Sequence, residues 1–197
     1  MSKEASTKRR AGLYLYTRFT SWEDLLLDGR VSVDGTVITG SKSNLVGELV
    51  IPEGITKIDI AAFRGRTGLS KVVLPDSLID IEDFAFYGCS GLREVVFGDK
   101  LVEISYAAFS RCTELESVEL PKNLSTIGKD AFYGCSSLRK VKMPDTLSNV
   151  YDTSFYGCSI DSVVWRKVDY NYIDIFLTVF TNEDVTRPSK TTFFGEN

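Results

Sequence analysis

A solenoid of short parallel strands, one coil per repeat, is the fold this sequence predicts. Three observations carry that expectation. A phenylalanine recurs every 23 residues, at Phe63, Phe86, Phe109, Phe132 and Phe155. A proline keeps the same interval at Pro52, Pro75, Pro121 and Pro144, and is missing only at Gly98. All four cysteines, Cys89, Cys112, Cys135 and Cys158, fall in one column of that register. A fixed period of this size marks a repeat architecture. No single unit can bury its apolar side alone, and stacked neighbours share one continuous core.

The chain opens with a short arm, residues 1–10, expected to be flexible. Residues 11–45 read as an N-terminal cap, which an open solenoid needs over its raw end. Leu13 and Leu15 alternate with Tyr14 and Tyr16 as in a strand. Ser21 is placed to cap a short helix over residues 22–27, with Asp24 in the capping-box position and Gly29 as its stop. Asp34-Gly35 is a turn signal.

Residues 46–165 hold about five full coils and a partial sixth. Val72, Val95, Val118 and Val141 form one apolar column, and Leu74, Phe97, Leu120 and Met143 the next. Val72-x-Leu74 alternates and Pro75 ends it, which predicts a short strand. Aligned coils would place these strands about 4.8 Å apart in a parallel sheet. Leu78 and Ile81 give a second, extended apolar pair. Residues 83–86 are expected to make a short helical turn. Gly88, Gly134 and Gly157 would then stop it in the left-handed conformation. Arg111 stands in the same column and must accept strain there or use another turn. The last coil is one residue shorter, with Cys158-Ser159-Ile160 where Cys135-Ser136-Ser137-Leu138 stood.

Residues 166–180 read as a C-terminal cap, with Trp165 as an aromatic lid and further strand within 170–180. Residues 181–197 read as a polar tail. Phe193-Phe194 is its exception. Two aromatics on a polar tail are expected to dock, either on the chain's own last coil or on another subunit or partner.

Composition bounds the function classes. The chain has 197 residues, 43% hydrophobic and 25% charged, which suits one globular domain. A net charge of −4 is too small to single out a strongly charged partner. No stretch approaches the roughly 18 apolar residues that span a bilayer. Lys8-Arg9-Arg10 before residues 11–16 faintly resembles a signal peptide, but Arg18 cuts the apolar run and no small-residue cleavage site follows. The sequence as it stands is therefore expected in a cytoplasm, its own or a host's, and at the cell surface if a leader precedes it.

Chemistry is restricted. There is no histidine, which removes Ser–His and Cys–His pairs and most zinc centres. A cysteine-only site fails on geometry, because four thiols one coil apart would span roughly 14 Å at strand spacing. A tetrahedral zinc site needs each sulfur about 2.3 Å from one point. A buried column of free thiols is the expectation, with interlayer disulfides and a reactive thiol as the alternatives. The phenylalanine column is expected to be the internal spine. Adjacent carboxylates such as Glu82-Asp83 read as solvated surface, and no phosphate loop or calcium loop is present. Neither a catalytic residue, a metal nor a cofactor is assigned, so the chain is not read as an enzyme. Nucleic acid is disfavoured as a partner by the acidic balance.

The pattern V-x-L-P-x-x-L-x-x-I-x-x-x-A-F-x-G-C-x-x-L, running through residues 46–165, resembles the BspA-like class of leucine-rich repeats. Residues 31–38 look like the lead-in of such arrays. The resemblance implies an α/β solenoid: right-handed, curved, mostly short parallel strands with short helical turns. It also implies a protein-binding role, with the outward strand positions as the recognition surface. The candidate binding residues are then Val50, Lys71, Val73, Arg93, Glu94, Val96, Glu116, Glu119, Arg139 and Lys142. Glu48, Lys71 and Glu94 alternate in sign up one column and Arg93, Glu116 and Arg139 up another, which predicts pairing between layers. Val50, Val73 and Val96 form an outward apolar stripe, either a binding stripe or simply good strand residues. Tyr87, Tyr133 and Tyr156 form a second, tyrosine row, broken at Arg64 and Ser110. Adhesion or surface recognition is the leading use. An intracellular effector or virus-encoded inhibitor that blocks a host protein is the second, and a homo-oligomer through the C-terminal arm remains open.

Overall fold

A 23-residue period leaves each coil one way to satisfy its backbone, which is to bond the coils on either side of it. The computed structural model, which describes residues 17–18, 29–165 and 192–193, shows this arrangement. Numbered in chain order, its strands are β1 (Thr17–Arg18), β2 (Val31–Asp34), β3 (Val37–Ser41), β4 (Gly47–Val50) and β5 (Lys57–Ile58). Next come β6 (Leu69–Val73), β7 (Asp80–Ile81), β8 (Glu94–Val96), β9 (Glu103–Ile104) and β10 (Ser117–Glu119). The series ends with β11 (Thr126–Ile127), β12 (Lys140–Lys142), β13 (Asn149–Val150), β14 (Ser162–Val164) and β15 (Thr192–Phe193).

These strands stack on two sides of the solenoid. One side is a seven-stranded sheet in the order β13-β11-β9-β7-β5-β3-β2. The other is two four-stranded sheets, β1-β4-β6-β8 and β10-β12-β14-β15. Strands pair in parallel, and between the inner coils the partners stand one repeat apart, as in Lys71↔Glu94 and Ser117↔Lys140. The exception is the β2–β3 hairpin, antiparallel around Gly35 at φ 57°. It closes one end of the seven-stranded sheet. Arg66, which stands in the cysteine column of the first coil, ties this hairpin down: its guanidinium donates to Oγ and the carbonyl of Ser41.

The core is a set of columns. Phe63, Phe86, Phe109 and Phe132 are fully buried, and Phe155 nearly so. Successive ring centroids lie 4.9, 5.0, 5.5 and 5.1 Å apart with planes within 7° of parallel. Burying each ring contributes roughly 1.5–3 kcal/mol. The valine and leucine columns are buried around this spine.

The expected helical turns are absent among the described residues. Ala61, Phe84, Ala107 and Asp130, spaced one coil apart, sit at φ 56°, 59°, 52° and 59°. An α-helix needs φ near −63°. The N–H groups also alternate in direction. Ala85 and Tyr87 donate within the turn, to Glu82 and Phe84, whereas Phe86 and Gly88 donate to Ala108 and Ser110 of the next coil. No helical ladder can form from that alternation. The glycine stop is as expected, with Gly65, Gly88, Gly134 and Gly157 left-handed, and Arg111 accepts the same conformation at φ 61°.

The strand-like residues 13–16, the helix at 22–27 and the cap at 166–180 lie outside the described residues. Of the tail, the backbone of Thr192–Phe193 adds in parallel to β14 of the same chain, through Ser162↔Thr192 and Val163↔Phe193.

Two irregularities mark the strand side: a register shift between Gly47 and Glu48 where β4 meets β6, and a full break further along. β8 and β10 do not pair. Ile51, Leu74, Leu120 and Met143 each donate a backbone N–H to the coil above, at 2.8–2.9 Å. Phe97, the fifth member of that column, makes no such bond. The break coincides with the missing proline. A Cβ at Gly98 would lie 2.0 Å from the Pro75 carbonyl oxygen, so neither proline nor alanine fits without a backbone shift.

Two stability predictions follow from this packing. Phe109→Ala removes the middle ring of the stack and is expected to cost about 3–5 kcal/mol in urea unfolding; a neutral result would contradict its place in the spine. Gly98→Ala is expected to destabilise by about 1–3 kcal/mol through overpacking, and an unchanged melting temperature would show that the Pro75 contact relaxes freely.

Candidate recognition surface

The strand side carries the outward positions that the sequence singles out. Strand alternation buries Val72, Val95, Val118 and Val141 and turns their neighbours outward. Val50 and Val73 are half-buried and Val96 is 40% exposed, so the apolar stripe opens only at its third member.

Charges on this side are satisfied mainly between adjacent coils. Lys71 bonds Glu94 at 2.9 Å, which raises the Lys71 ammonium above its ordinary value. Lys142 pairs with Glu119, and Lys122 with Asp99. Arg139 donates to the Ser159 carbonyl at 2.7 Å and lies 4.0 Å from Asp161. Arg93 differs from expectation. Its Nε donates to Glu114 at 2.8 Å and not to Glu116, the next charge in its own column. The guanidinium reaches a position of the next coil that is not its column equivalent, while Glu116 donates its backbone N–H to the Arg93 carbonyl at 3.4 Å. Exposed pairs of this kind contribute about 0–1 kcal/mol each. They neutralise the face more than they hold it together.

A groove of about 740 Å³ runs along this surface from β8 across the ladder break to β14. Four of the ten candidate binding residues line it: Glu94, Val96, Glu119 and Lys142. Val50, Lys71, Val73, Arg93, Glu116 and Arg139 do not. The groove also gathers Phe97, Asp99, Lys122, Met143 and Asp145, none of which the outward columns identify. Its one signal in the sequence is the absent proline at Gly98.

The tyrosine row lies on the turn side. Tyr133 and Tyr156 stack at 5.4 Å. The expected interruptions are filled by arginines. Arg64 lies over Tyr87 at 5.0 Å and Arg111 over the same ring at 5.9 Å, distances suited to cation–π attraction. Ser110 is buried and donates to the Tyr133 carbonyl at 3.2 Å.

The thiols are internal and structural. Cys89, Cys112, Cys135 and Cys158 are free. Each donates to a phenylalanine carbonyl of the preceding coil: to Phe63 at 3.1 Å, Phe86 at 3.3 Å, and Phe109 and Phe132 at 3.2 Å. Burial pushes the Cys89 thiol up to about 12 and holds Cys112 and Cys135 well above the ordinary value of 9.0. Among the described residues no group of His, Cys, Asp or Glu side chains is placed to hold a metal ion. No helix among them is long and apolar enough to cross a membrane.

Stacked coils with one strand column, one turn column and an internal aromatic spine define a leucine-rich-repeat solenoid. The profile of the BspA type leucine rich repeat region matches in six copies, over residues 41–161 and 102–196, and the chain belongs to this family. A similar solved structure is the T. pallidum leucine rich repeat protein TpLRR. It is 30% identical with a TM-score of 0.61, over 66% of this chain and 63% of that one. A leucine rich cell surface protein from Faecalibacterium prausnitzii is 23% identical with a TM-score of 0.67, over 76% of this chain and 39% of that one. A leucine-rich repeat protein from Bacteroides ovatus is 26% identical with a TM-score of 0.55, over 76% and 42%. The chain thus spans less than two thirds of the length of each of these proteins. No curated protein sequence matches it.

The thiol column predicts an alkaline limit to stability. An unfolded thiol loses its proton above about 9, whereas folded Cys89 keeps it until about 12. The folded state therefore binds more protons in that window, and stability that is complete below pH 9 falls as pH rises towards 12. Urea midpoints measured between pH 8 and 11 are expected to fall more steeply for the native chain than for a Cys89→Ala, Cys112→Ala, Cys135→Ala variant. Parallel curves would place the thiols in water. In the native state at neutral pH, Cys158, the only half-buried thiol, is expected to react first with a thiol reagent.

Proposed function

We propose that this chain is a non-catalytic module that binds another protein through the side built from β4, β6, β8, β10, β12 and β14. The observation that carries the reading is the coincidence, at one place, of the groove, the opened valine stripe and four of the outward candidate residues. A face held by interlayer hydrogen bonds is preformed and loses little entropy when a partner docks, so modest contacts suffice. Protein binding is also what membership of a leucine-rich-repeat family supports.

The use we propose for that binding is surface recognition or adhesion. The fold is shared with a protein described as a leucine rich cell surface protein. Val50, Lys71, Val73, Arg93, Glu116 and Arg139 would form the rim of the contact, and Glu94, Val96, Glu119 and Lys142 its centre.

Three variants test the face. A photo-crosslinking residue in place of Glu116 is expected to trap the partner, whereas the same residue in place of Tyr151, exposed on the other sheet side, is expected not to. Val96→Lys combined with Glu119→Lys, both exposed positions of the groove, is expected to weaken the trapped complex about tenfold with no change in melting temperature. Equal capture at both sites, or unchanged affinity, would move the site off this face.

A further inference from the structure

The strand ladder is broken between β8 and β10, and the groove spans that break. The apolar wall is formed by Val96, Phe97, Met143 and Val164. The charged lining is four carboxylates, Glu94, Asp99, Glu119 and Asp145, against two ammonium groups, Lys122 and Lys142. Both ammonium groups already pair with groove carboxylates, Asp99 and Glu119. Lys71 neutralises Glu94 from outside. Asp145 is exposed and has no ion pair among the described residues. The lining therefore carries an excess of negative charge that its own lysines do not cancel.

The broken ladder adds a polar element. Phe97 lines the groove, and its N–H lacks the carbonyl that serves its column mates in the other coils. A donor without its ladder partner favours a ligand that brings an acceptor. Apolar wall, carboxylate excess and free backbone donor together describe an extended peptide. One apolar side chain would lie against Val96 and Phe97, cationic side chains would reach the carboxylates, and a main-chain carbonyl would face the Phe97 N–H. Existing ion pairs do not obstruct this, because exposed pairs are worth so little that an incoming cation exchanges with them easily. An acidic segment would meet repulsion at Asp145, the one groove carboxylate without an ion pair among the described residues.

We propose that the groove at the β8–β10 break is the anchoring subsite for a segment of the partner protein in which an apolar side chain is flanked by lysine or arginine. The proposal rests on the strand-side reading of function and adds the chemistry of what is bound.

Backbone NMR of the full chain tests it with three synthetic heptapeptides: lysine alternating with leucine, glutamate alternating with leucine, and lysine alternating with serine. The lysine–leucine peptide is expected to shift the amides of Val96, Phe97, Lys142 and Val164. It should bind about tenfold more tightly than either of the others. Glu119→Lys with Asp145→Lys is expected to abolish that preference while the amides of Phe86 and Phe109 stay in place, which shows that the spine is intact. Equal binding of the glutamate peptide, or of the serine peptide, would overturn the proposal, as would no binding by any of the three. Shifts confined to Val50 and Val73 would overturn the groove and leave the strand side standing. Shifts confined to Tyr133 and Tyr156 would overturn both.

Discussion

Registered stacking of coils of equal length is the constraint from which the other features of this molecule follow. Backbone bonds join residues one repeat apart on two sides of each coil, and the turn side is joined in the same way. Parallel strands sit about 4.8 Å apart. The phenylalanine rings, 4.9–5.5 Å from centroid to centroid, keep nearly that distance with near-parallel planes. The ring geometry is thus inherited from the backbone. The thiol column uses the same register, since each sulfhydryl meets a carbonyl of the coil before it. The shortened last coil shows how firmly the register is kept. Its missing residue falls after Cys158, so Phe155 and Cys158 stay in column, and only the strand offset changes, with Lys140 facing Ser162.

Stacking also explains the backbone strain. Ala61, Phe84 and Ala107 take the left-handed conformation, which costs roughly 1–2 kcal/mol for a residue with a side chain. In each case the residue's N–H bonds a carbonyl of the next coil, at Asp83, Tyr106 and Lys129 respectively. The strained residue therefore directs a donor across the layer boundary, where an α-helical residue would direct it back along its own turn. A buried donor left unpaired would cost about 1–3 kcal/mol, comparable to the strain. The coil accepts the strain and keeps the bond.

Much of the fold was legible in the residues because repetition multiplies weak signals. One Val-x-Leu-Pro is a poor strand predictor, and several in register are a strong one. The spine, the thiol column and both strand columns were readable in this way. The left-handed turn that stands where a helical turn is expected at 83–86 was not, because alanine, phenylalanine and aspartate at those positions carry no mark of that conformation, as glycine would. Pairing of Arg93 with Glu114 was hidden for a related reason: column reasoning compares equivalent positions, and this contact joins positions that are not equivalent. Arg66 shows the same limit. It stands in the cysteine column, and only the folded hairpin reveals Ser41 within its reach.

The absent proline bears most directly on function. A regular array has interchangeable coils, and a uniform face offers a partner no reason to prefer one place along it. Gly98 removes that uniformity on one side only. The seven-stranded sheet runs on without interruption behind the break, so the coils cannot separate, and the opening is confined to the strand side. The aromatic spine is continuous through it as well, with Phe86, Phe109 and Phe132 stacked across the affected layers. Local pairing is thus given up where two other systems of contacts guarantee the stack. The break is thus a local feature of the strand side, set between coils that stay bonded along the seven-stranded sheet and stacked along the spine.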